Sequence, residues 1–222
     1  MSQSDKKYYA LFIGYLLAMV FIGCSSEPTQ GVYYLEDTLC NARYSASEQE
    51  LIPIPFRGGQ LCVYPDYHVE SGIRTPLDLK DAFDLVNRLG LRLPTPEVVD
   101  SIYVHAHIKV APIPMPPTNQ MTTVAYYVRH DSLINAQLRS LGFNPGPALR
   151  EGLQAKIIAG HKKDLVYIDP NSPKVAIYGW HRLNGTPIQP YSTVHHSGYY
   201  DYSHGVRPVS PEYFKDGSWI VW

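Results

Sequence analysis

The chain has 222 residues, of which 45% are hydrophobic and 18% are charged, so it can bury an ordinary globular core. Its formal net charge is -1, and no long run of basic residues appears. Nucleic-acid binding requires a basic surface that neutralises phosphates, so this balance excludes nucleic acid as a partner. Tyrosine is unusually frequent, with 18 residues against 6 phenylalanines and 3 tryptophans. This excess suits either a half-exposed, ring-lined surface or a core that tolerates hydroxyls near its edges.

The N-terminus combines a short basic segment with a charge-free apolar run. Lys6 and Lys7 precede residues 8–23, which carry no charge and lead into the residues FIGC at Cys24. The run is shorter than the roughly 20 residues of a transmembrane helix and is typical of an export signal. The sequence around Cys24 resembles the lipobox of bacterial lipoproteins, although Phe21 stands where that family usually has leucine.

This resemblance implies that residues 1–23 are a signal peptide and that Cys24 carries diacylglycerol and palmitate. The alternative is an uncleaved N-terminal anchor helix. No aspartate follows Cys24, and in that family this implies retention in the outer membrane, facing the periplasm. We therefore expect a protein of the bacterial cell envelope that is attached to the membrane by a lipid anchor. Residues 24–32 would be the tether and residues 33–222 a single α+β domain.

Two cysteines remain after lipidation. Cys40 and Cys62 would lie in an oxidising compartment, where an even number of thiols favours a disulfide, and the alternative is two free thiols. Neither has a neighbouring histidine, so a thiol nucleophile is not expected. Residues 33–74 hold short apolar runs broken by proline and glycine, which predict irregular strands and loops held by the disulfide.

Two helices are predicted in the middle of the chain. In the first, Thr75 supplies the N-cap, Pro76 lies in the first turn and Gly90 ends the helix. Its apolar positions, at helical spacing, are Leu79, Ala82, Phe83, Val86 and Leu89. In the second, Thr95 precedes Pro96 in the same way. The buried face of this helix is predicted to be Val99, Ile102, Tyr103 and Ala106.

The next segments alternate between proline-rich and regular stretches. Residues 111–117 contain too many prolines for a helix and predict an extended crossing. Residues 122–128 predict a strand, because β-branched and aromatic residues dominate them. Residues 131–141 predict a third helix, which Gly142 ends.

After residue 155 the pattern becomes that of strands. The β-like segments are residues 156–159, 165–168 and 174–180. Residues 169–173 (DPNSP) predict a turn, and Asn184-Gly185 predicts a hairpin. Together these elements predict an α+β fold, with central helices packed on a C-terminal antiparallel sheet.

The functional site is expected within residues 155–222. Five of the nine histidines fall after residue 160, and residues 193–207 (TVHHSGYYDYSHGVR) combine three of them with an aspartate and an arginine. This segment has no amphipathic period and is predicted to be a loop or an irregular pair of strands. Loops carried on a rigid sheet commonly hold functional residues.

His195, Asp201 and His204 predict a zinc site. Nitrogen and oxygen ligands suit Zn²⁺, and three protein ligands would leave a fourth position for a water molecule. The segment T-x-H-x-x-G-x-x-D also resembles the S-x-H-x-x-G-x-A-x-D motif of D-Ala-D-Ala peptidases, which implies His195 and Asp201 as ligands. Two departures stand against it: the interval between Gly198 and Asp201 is one residue short, and the downstream Glu and His of that family are missing.

A second motif lies in the same segment. Residues 203–207, SHGVR, resemble the SHGC[IV]R signature of L,D-transpeptidases, but the C-terminal half contains no cysteine, so the thiol chemistry of that family is excluded. A serine nucleophile, Ser203 or Ser197, acting with His204 and Asp201 is a further hypothesis. Against it, adjacent side chains on a strand point to opposite faces.

The expected function is that of an envelope hydrolase acting on peptidoglycan, the substrate class of both resembled families. His195, Asp201 and His204 would form its centre. His181 would assist, and Arg207 would hold a substrate carboxylate in a bidentate pair. The alternatives are a non-catalytic envelope lipoprotein that binds glycan or a partner protein, and an Asp–His pair that only holds the loop. The rings that could form a binding platform are Tyr191, Tyr199, Tyr200, Tyr202, Tyr213 and Trp219.

Overall fold

The computed structural model describes residues 38–47, 49–151 and 155–222. The expected signal peptide, the lipidation of Cys24 and the tether of residues 24–32 lie outside these ranges. Helices and strands are mixed along the described chain, which confirms the predicted α+β class. No helix within the described ranges is both long and apolar enough to cross a bilayer.

The regular elements are as follows. The helices are α1 (Leu79–Arg88), α2 (Pro96–His105) and α3 (Val124–Ser140), together with helical residues 38–43 and a short 3-10 turn at Pro147–Leu149. The strands are β1 (Ile52–Phe56), β2 (Gly59–Val63), β3 (Val69–Glu70), β4 (Ile73–Arg74), β5 (Ile108–Lys109), β6 (Ile158–Ala159), β7 (Lys163–Leu165), β8 (Ile177–His181), β9 (Pro187–Ser192), β10 (His204–Gly205), β11 (Val209–Lys215) and β12 (Ser218–Val221).

Two four-stranded sheets organise these strands. Sheet I has the order β1-β2-β11-β12 and is antiparallel throughout, so it joins the first strands of the described chain to the last. Sheet II has the order β10-β7-β8-β9; β7, β8 and β9 are antiparallel, whereas β10 runs parallel to β7. The predicted C-terminal antiparallel sheet is therefore present, with one parallel strand added at its edge.

The predicted disulfide is confirmed. Cys40 and Cys62 are bonded, with Cα atoms 5.7 Å apart, and both are buried. The bond ties helical residues 38–43 to β2 in sheet I. Part of the segment that was expected to be irregular is therefore a regular hairpin of β1 and β2.

Helix α1 has the predicted buried face but a different beginning. The apolar positions from Leu79 to Val86 are buried, as their spacing predicts. Asp78 caps the helix by accepting the backbone N–H of Asp81, so the predicted cap at Thr75 is wrong. Thr75 instead donates its hydroxyl to the carbonyl of Ile73, which turns the chain before the helix begins.

Helix α2 lies between the two sheets and positions part of the site. It begins at Pro96 with Thr95 as its cap, as predicted. Ile102 packs in an apolar cluster with residues of sheet I, whereas Val99 packs against Val166 and Ala176 beside β7 and β8. Helix α2 is therefore held on both sides, which fixes the polar residues on its remaining face.

The predicted strand over residues 122–128 is wrong, because helix α3 already begins at Val124. The segment is rich in residues that favour strands, but tertiary burial decides its conformation. Its buried residues are spaced for a helix: Tyr126, Tyr127, His130, Asp131, Ile134 and Leu138.

Candidate functional site

Three of the predicted site residues lie together beside sheet II. We call His195, Tyr199, Asp201, Ser203 and His204 the His204 cluster. The ring centroids of His195 and His204 are 6.5 Å apart, and Asp201 Oδ2 is 4.0 Å from His204 Nε2. The His195 ring stacks on Tyr199 at 4.1 Å. Short separations along the chain and the β10–β7 pairing bring these groups into one place.

Asp201 is held by donors on both carboxylate oxygens. The backbone N–H and the hydroxyl of Ser203 donate to Oδ1 at 2.8 and 2.5 Å, and the Tyr199 hydroxyl donates to Oδ2 at 3.0 Å. Burial would raise the pKa of Asp201, but His204 and the Ser203 hydrogen bonds together lower this pKa below its ordinary value. Asp201 is therefore an ionised carboxylate at neutral pH.

The hypothesis that Ser203 is a nucleophile is not supported by this geometry. The Ser203 hydroxyl is buried and donates to Asp201, and it has no hydrogen bond to His204. A nucleophilic serine needs the histidine as the acceptor of its proton. Ser203 therefore fixes Asp201 instead of attacking a substrate.

His204 is a fully buried imidazole, and neither of its ring nitrogens has a hydrogen-bond partner within the described part of the chain. Burial lowers the pKa of His204, and the opposing effect of Asp201 does not restore it. Burial also lowers the pKa of His195, again against the effect of Asp201. Both imidazoles are neutral at neutral pH, and only His195 is partly exposed at the surface.

The predicted zinc site is wrong. No group of histidine, cysteine, aspartate or glutamate side chains in the described ranges is arranged to hold a metal ion. Zinc needs ligand lone pairs at roughly 2 Å that are directed at one point. Both oxygens of Asp201 already accept hydrogen bonds, and the His195 ring lies flat on Tyr199. The three predicted ligands are neighbours, but they do not converge on a common point.

His181 lies outside the His204 cluster, at the end of β8. Its Nε2 is 2.9 Å from Asp100 Oδ1, and its ring stacks on Tyr103 at 4.5 Å. The Tyr178 hydroxyl donates to the same carboxylate oxygen at 2.9 Å. Asp100 is a site residue that the sequence did not reveal. Asp100 lies three residues before Tyr103, so the two side chains are neighbours on the surface of α2. The hydrogen-bond partners of Asp100, however, come from a strand about 80 residues later in the chain.

The backbone that carries His181 is strained. Trp180 has a φ of +55° inside β8, whereas the other non-glycine residues with positive φ, Arg57, Ser71 and Asp216, lie in turns. Gly179 has a φ of +99°, and a Cβ atom there would lie 3.3 Å from His181 Cε1. The Trp180 indole donates to the carbonyl of His161, which holds this conformation. Strain of this kind persists where the surrounding structure enforces it, and it is common at functional sites.

Arg207 also lies outside the His204 cluster. It is fully buried and donates to the carbonyl oxygens of Tyr64 and Ile158 at 2.8 and 2.6 Å, and its guanidinium stacks on Tyr67 at 4.3 Å. The expected role of holding a substrate carboxylate does not agree with this position, because the side chain does not reach the surface. Arg207 instead joins three separate segments of the fold.

The rings of the hypothetical binding platform are also dispersed. Tyr202 is buried and its hydroxyl bonds to the backbone of Met115. Tyr213 and Trp219 belong to sheet I, where they pack on Phe56 and Tyr44. No single face of the described chain therefore gathers the whole set.

Sheet II thus carries two polar assemblies, the His204 cluster and the group around Asp100 and His181. In the sheet register His204 lies opposite Lys163, and Lys163 lies opposite Gly179. Two strand spacings correspond to roughly 10 Å between these rows of backbone.

No family model, no curated protein and no solved structure matches the chain.

Proposed function

We propose that the protein is a lipid-anchored hydrolase of the bacterial cell envelope that acts on peptidoglycan, with the His204 cluster as its acid–base centre. The observation that carries this proposal is the neutral His204 imidazole, whose ring nitrogens have no hydrogen-bond partner among the described residues. It lies beside the ionised Asp201, with the partly exposed His195 next to it. The lipobox-like segment at Cys24 supports the location. The two motif resemblances in residues 193–207 support the substrate class.

The proposed roles follow from exposure and charge. His195 is the catalytic base: its imidazole is unprotonated at neutral pH, and it reaches the surface, where a water molecule and substrate can meet it. Asp201 stabilises the imidazolium that forms, since its negative charge raises the pKa of His195. His204 is a positioning residue, because it is buried behind His195 and its ring packs edge-on against Tyr199, on which the His195 ring stacks.

The first prediction concerns His195. Full-length protein in detergent should release soluble fragments from purified sacculi, and His195→Ala should lower the rate by roughly 100-fold or more, which is the usual contribution of general base catalysis. His196→Ala is the matched control, because His196 is the adjacent histidine, is exposed and meets the cluster only through an edge contact with Tyr199. A wild-type rate in His195→Ala, or a loss of similar size in His196→Ala, would contradict the assignment.

The alternative function, a non-catalytic lipoprotein that binds glycan, also has one observation in its favour. This is the half-exposed Asp100 carboxylate, which His181 and Tyr178 hold in place outside the His204 cluster. Wild-type protein that leaves sacculi intact but is retained by them would support the alternative and exclude the hydrolase.

A further inference from the structure

A groove of about 470 Å³ lies between the C-terminal half of α2 and the β8–β9 hairpin. Asp100, Tyr103 and Val104 line it from the helix, and Tyr178, His181 and Leu183 line it from the hairpin side. Lys109 and Asn184 complete its rim. We call this the Asp100 groove.

The Asp100 carboxylate is fixed from behind and open in front. His181 Nε2 and the Tyr178 hydroxyl both bond to it, yet about half of the side chain, 52%, is exposed. An ionised carboxylate accepts about four hydrogen bonds, so Asp100 retains acceptor capacity toward the groove. Because its two partners already fix its orientation, the carboxylate loses little further side-chain entropy when a ligand binds.

The strained backbone of β8 serves this arrangement. The positive φ of Gly179 and Trp180 directly follows the register shift between Ile177 and Gly179. The ring of the next residue, His181, stacks on Tyr103 and bonds to Asp100. A side chain at Gly179 would meet that ring. The backbone distortion therefore lies where it supports the Asp100 carboxylate through His181. This observation does not depend on how far the carboxylate is exposed.

The remaining groups of the groove supply donors and apolar surface. Lys109 Nζ lies 5.0 Å from the Tyr103 ring centroid and brings one basic donor to the groove. The Asn184 side-chain oxygen accepts the backbone N–H of Thr186, which leaves the amide nitrogen as a donor. Val104 and Leu183 are exposed aliphatic residues, 64% and 63% exposed.

This combination points to one ligand class. Sugar rings present hydroxyls that donate and accept hydrogen bonds, together with apolar C–H faces, and they carry no net charge when neutral. An oriented acceptor, two donors and an aliphatic rim match those features. The groove holds one acidic and one basic side chain, Asp100 and Lys109, so its lining favours neither an anion nor a cation. We propose that the Asp100 groove is a carbohydrate-binding subsite for a neutral glycan.

This inference extends the proposed function. It rests on peptidoglycan as the substrate, since it assigns the glycan strand of that polymer to the Asp100 groove. The rows of backbone that carry the two assemblies are roughly 10 Å apart in sheet II. A polymer could therefore contact the Asp100 groove and the His204 cluster together. Binding can be measured without turnover, so the two proposals can fail separately.

The test uses full-length protein in detergent that carries His195→Ala, which removes the proposed turnover. The probes are tetrasaccharides of β-1,4-linked N-acetylglucosamine and of β-1,4-linked glucose, and calorimetry measures binding. We expect at least one probe to bind, and Asp100→Asn to weaken that binding about tenfold or more, as expected for hydrogen bonds to a charged group. Glu97→Gln is the matched control: this carboxylate lies on the same helix, is equally exposed at 52% and pairs with Arg57 outside the groove.

The outcomes are distinguishable. If neither tetrasaccharide binds at millimolar concentration, or if Asp100→Asn binds as tightly as the Glu97→Gln control, the subsite is overturned. If Asp100→Asn fails to fold, Lys109→Met and Asn184→Ala on the rim provide the test: weakened binding supports the subsite, and unchanged binding overturns it. Hydrolysis of sacculi without tetrasaccharide binding would overturn the subsite alone, whereas binding without hydrolysis would overturn only the catalytic proposal.

Discussion

Buried ionisable side chains near sheet II differ in protonation because their surroundings differ. Asp164 is buried in β7, and burial raises its pKa to about 7, although Arg207 and the Tyr67 hydroxyl oppose the shift. Asp201, in contrast, accepts three hydrogen bonds from Ser203 and Tyr199 and stays ionised. At neutral pH Asp164 is therefore only partly ionised, whereas Asp201 carries its full charge.

His204 should make folding stability depend on pH in the acid range. Its pKa is lowered in the folded state by burial, so below about pH 6.5 the unfolded chain binds a proton that the folded chain does not. The free energy of unfolding should therefore fall as pH decreases from about 6.5 to about 4. His204→Gln should make this slope shallower, by at most about 1.4 kcal/mol per pH unit.

Urea denaturation at several pH values measures this slope. The comparison of slopes is independent of any change in absolute stability that the substitution causes. Buried groups that do not interact with His204, such as Asp164, contribute equally to both proteins and cancel. Asp201 is the exception, because His204 lowers its pKa, so the slopes are compared above about pH 5, where an aspartate is ordinarily ionised. Identical slopes in wild type and His204→Gln would show that His204 is protonated in the folded state at these pH values.

At the scale of elements, β8 is the most constrained strand of the site. Its register with β9 is irregular, and a Cβ atom at Gly179 would lie 3.2 Å from Val99 Cγ1. This packing explains how helix α2 and the hairpin are held at a fixed separation. The Asp100 groove lies between these two elements, so its width depends on that contact.

Gly179→Ala should therefore be more destabilising than an ordinary glycine substitution. Gly217 is the control, because it has a φ of +80° in the β11–β12 turn and a Cβ atom there would have nothing within 4 Å. We expect Gly217→Ala to lower the free energy of unfolding by roughly 1 kcal/mol through backbone strain alone. Gly179→Ala should lower it by about 1 kcal/mol more. Equal losses of unfolding free energy in the two variants would contradict the packing argument.

The sequence predicted the elements in which the spacing of apolar residues along the chain matches the residues that are buried in the fold. The apolar spacing of α1 and the Thr95-Pro96 start of α2 are local signals, and both are confirmed. The residues from Thr122 to Val128 favour a strand by composition, but their helical conformation depends on contacts with distant segments, such as the Tyr126–Tyr202 ring pair. No local pattern contains that information.

At the scale of the molecule, the two assemblies also differ in whether local sequence predicts them. The His204 cluster draws its residues from one short segment, so sequence spacing could bring His195, Asp201 and His204 together. The Asp100 groove combines α2 with β8, and no spacing rule relates Asp100 to His181. The burial of Arg207 likewise depends on carbonyls of two remote segments. Sequence motifs indicated the region of the candidate site but not which of its side chains reach solvent.

The pH dependence of sacculus hydrolysis tests the catalytic role of His195 most directly. The initial rate should fall as pH decreases through a limb below 6.5, because burial lowers the pKa of His195 and the base must be unprotonated. In Asp201→Asn the limb should move to still lower pH, since the carboxylate that raises the pKa of His195 is gone. A limb that stays in place or moves to higher pH in Asp201→Asn would contradict the His195–Asp201 pairing on which the proposed mechanism depends.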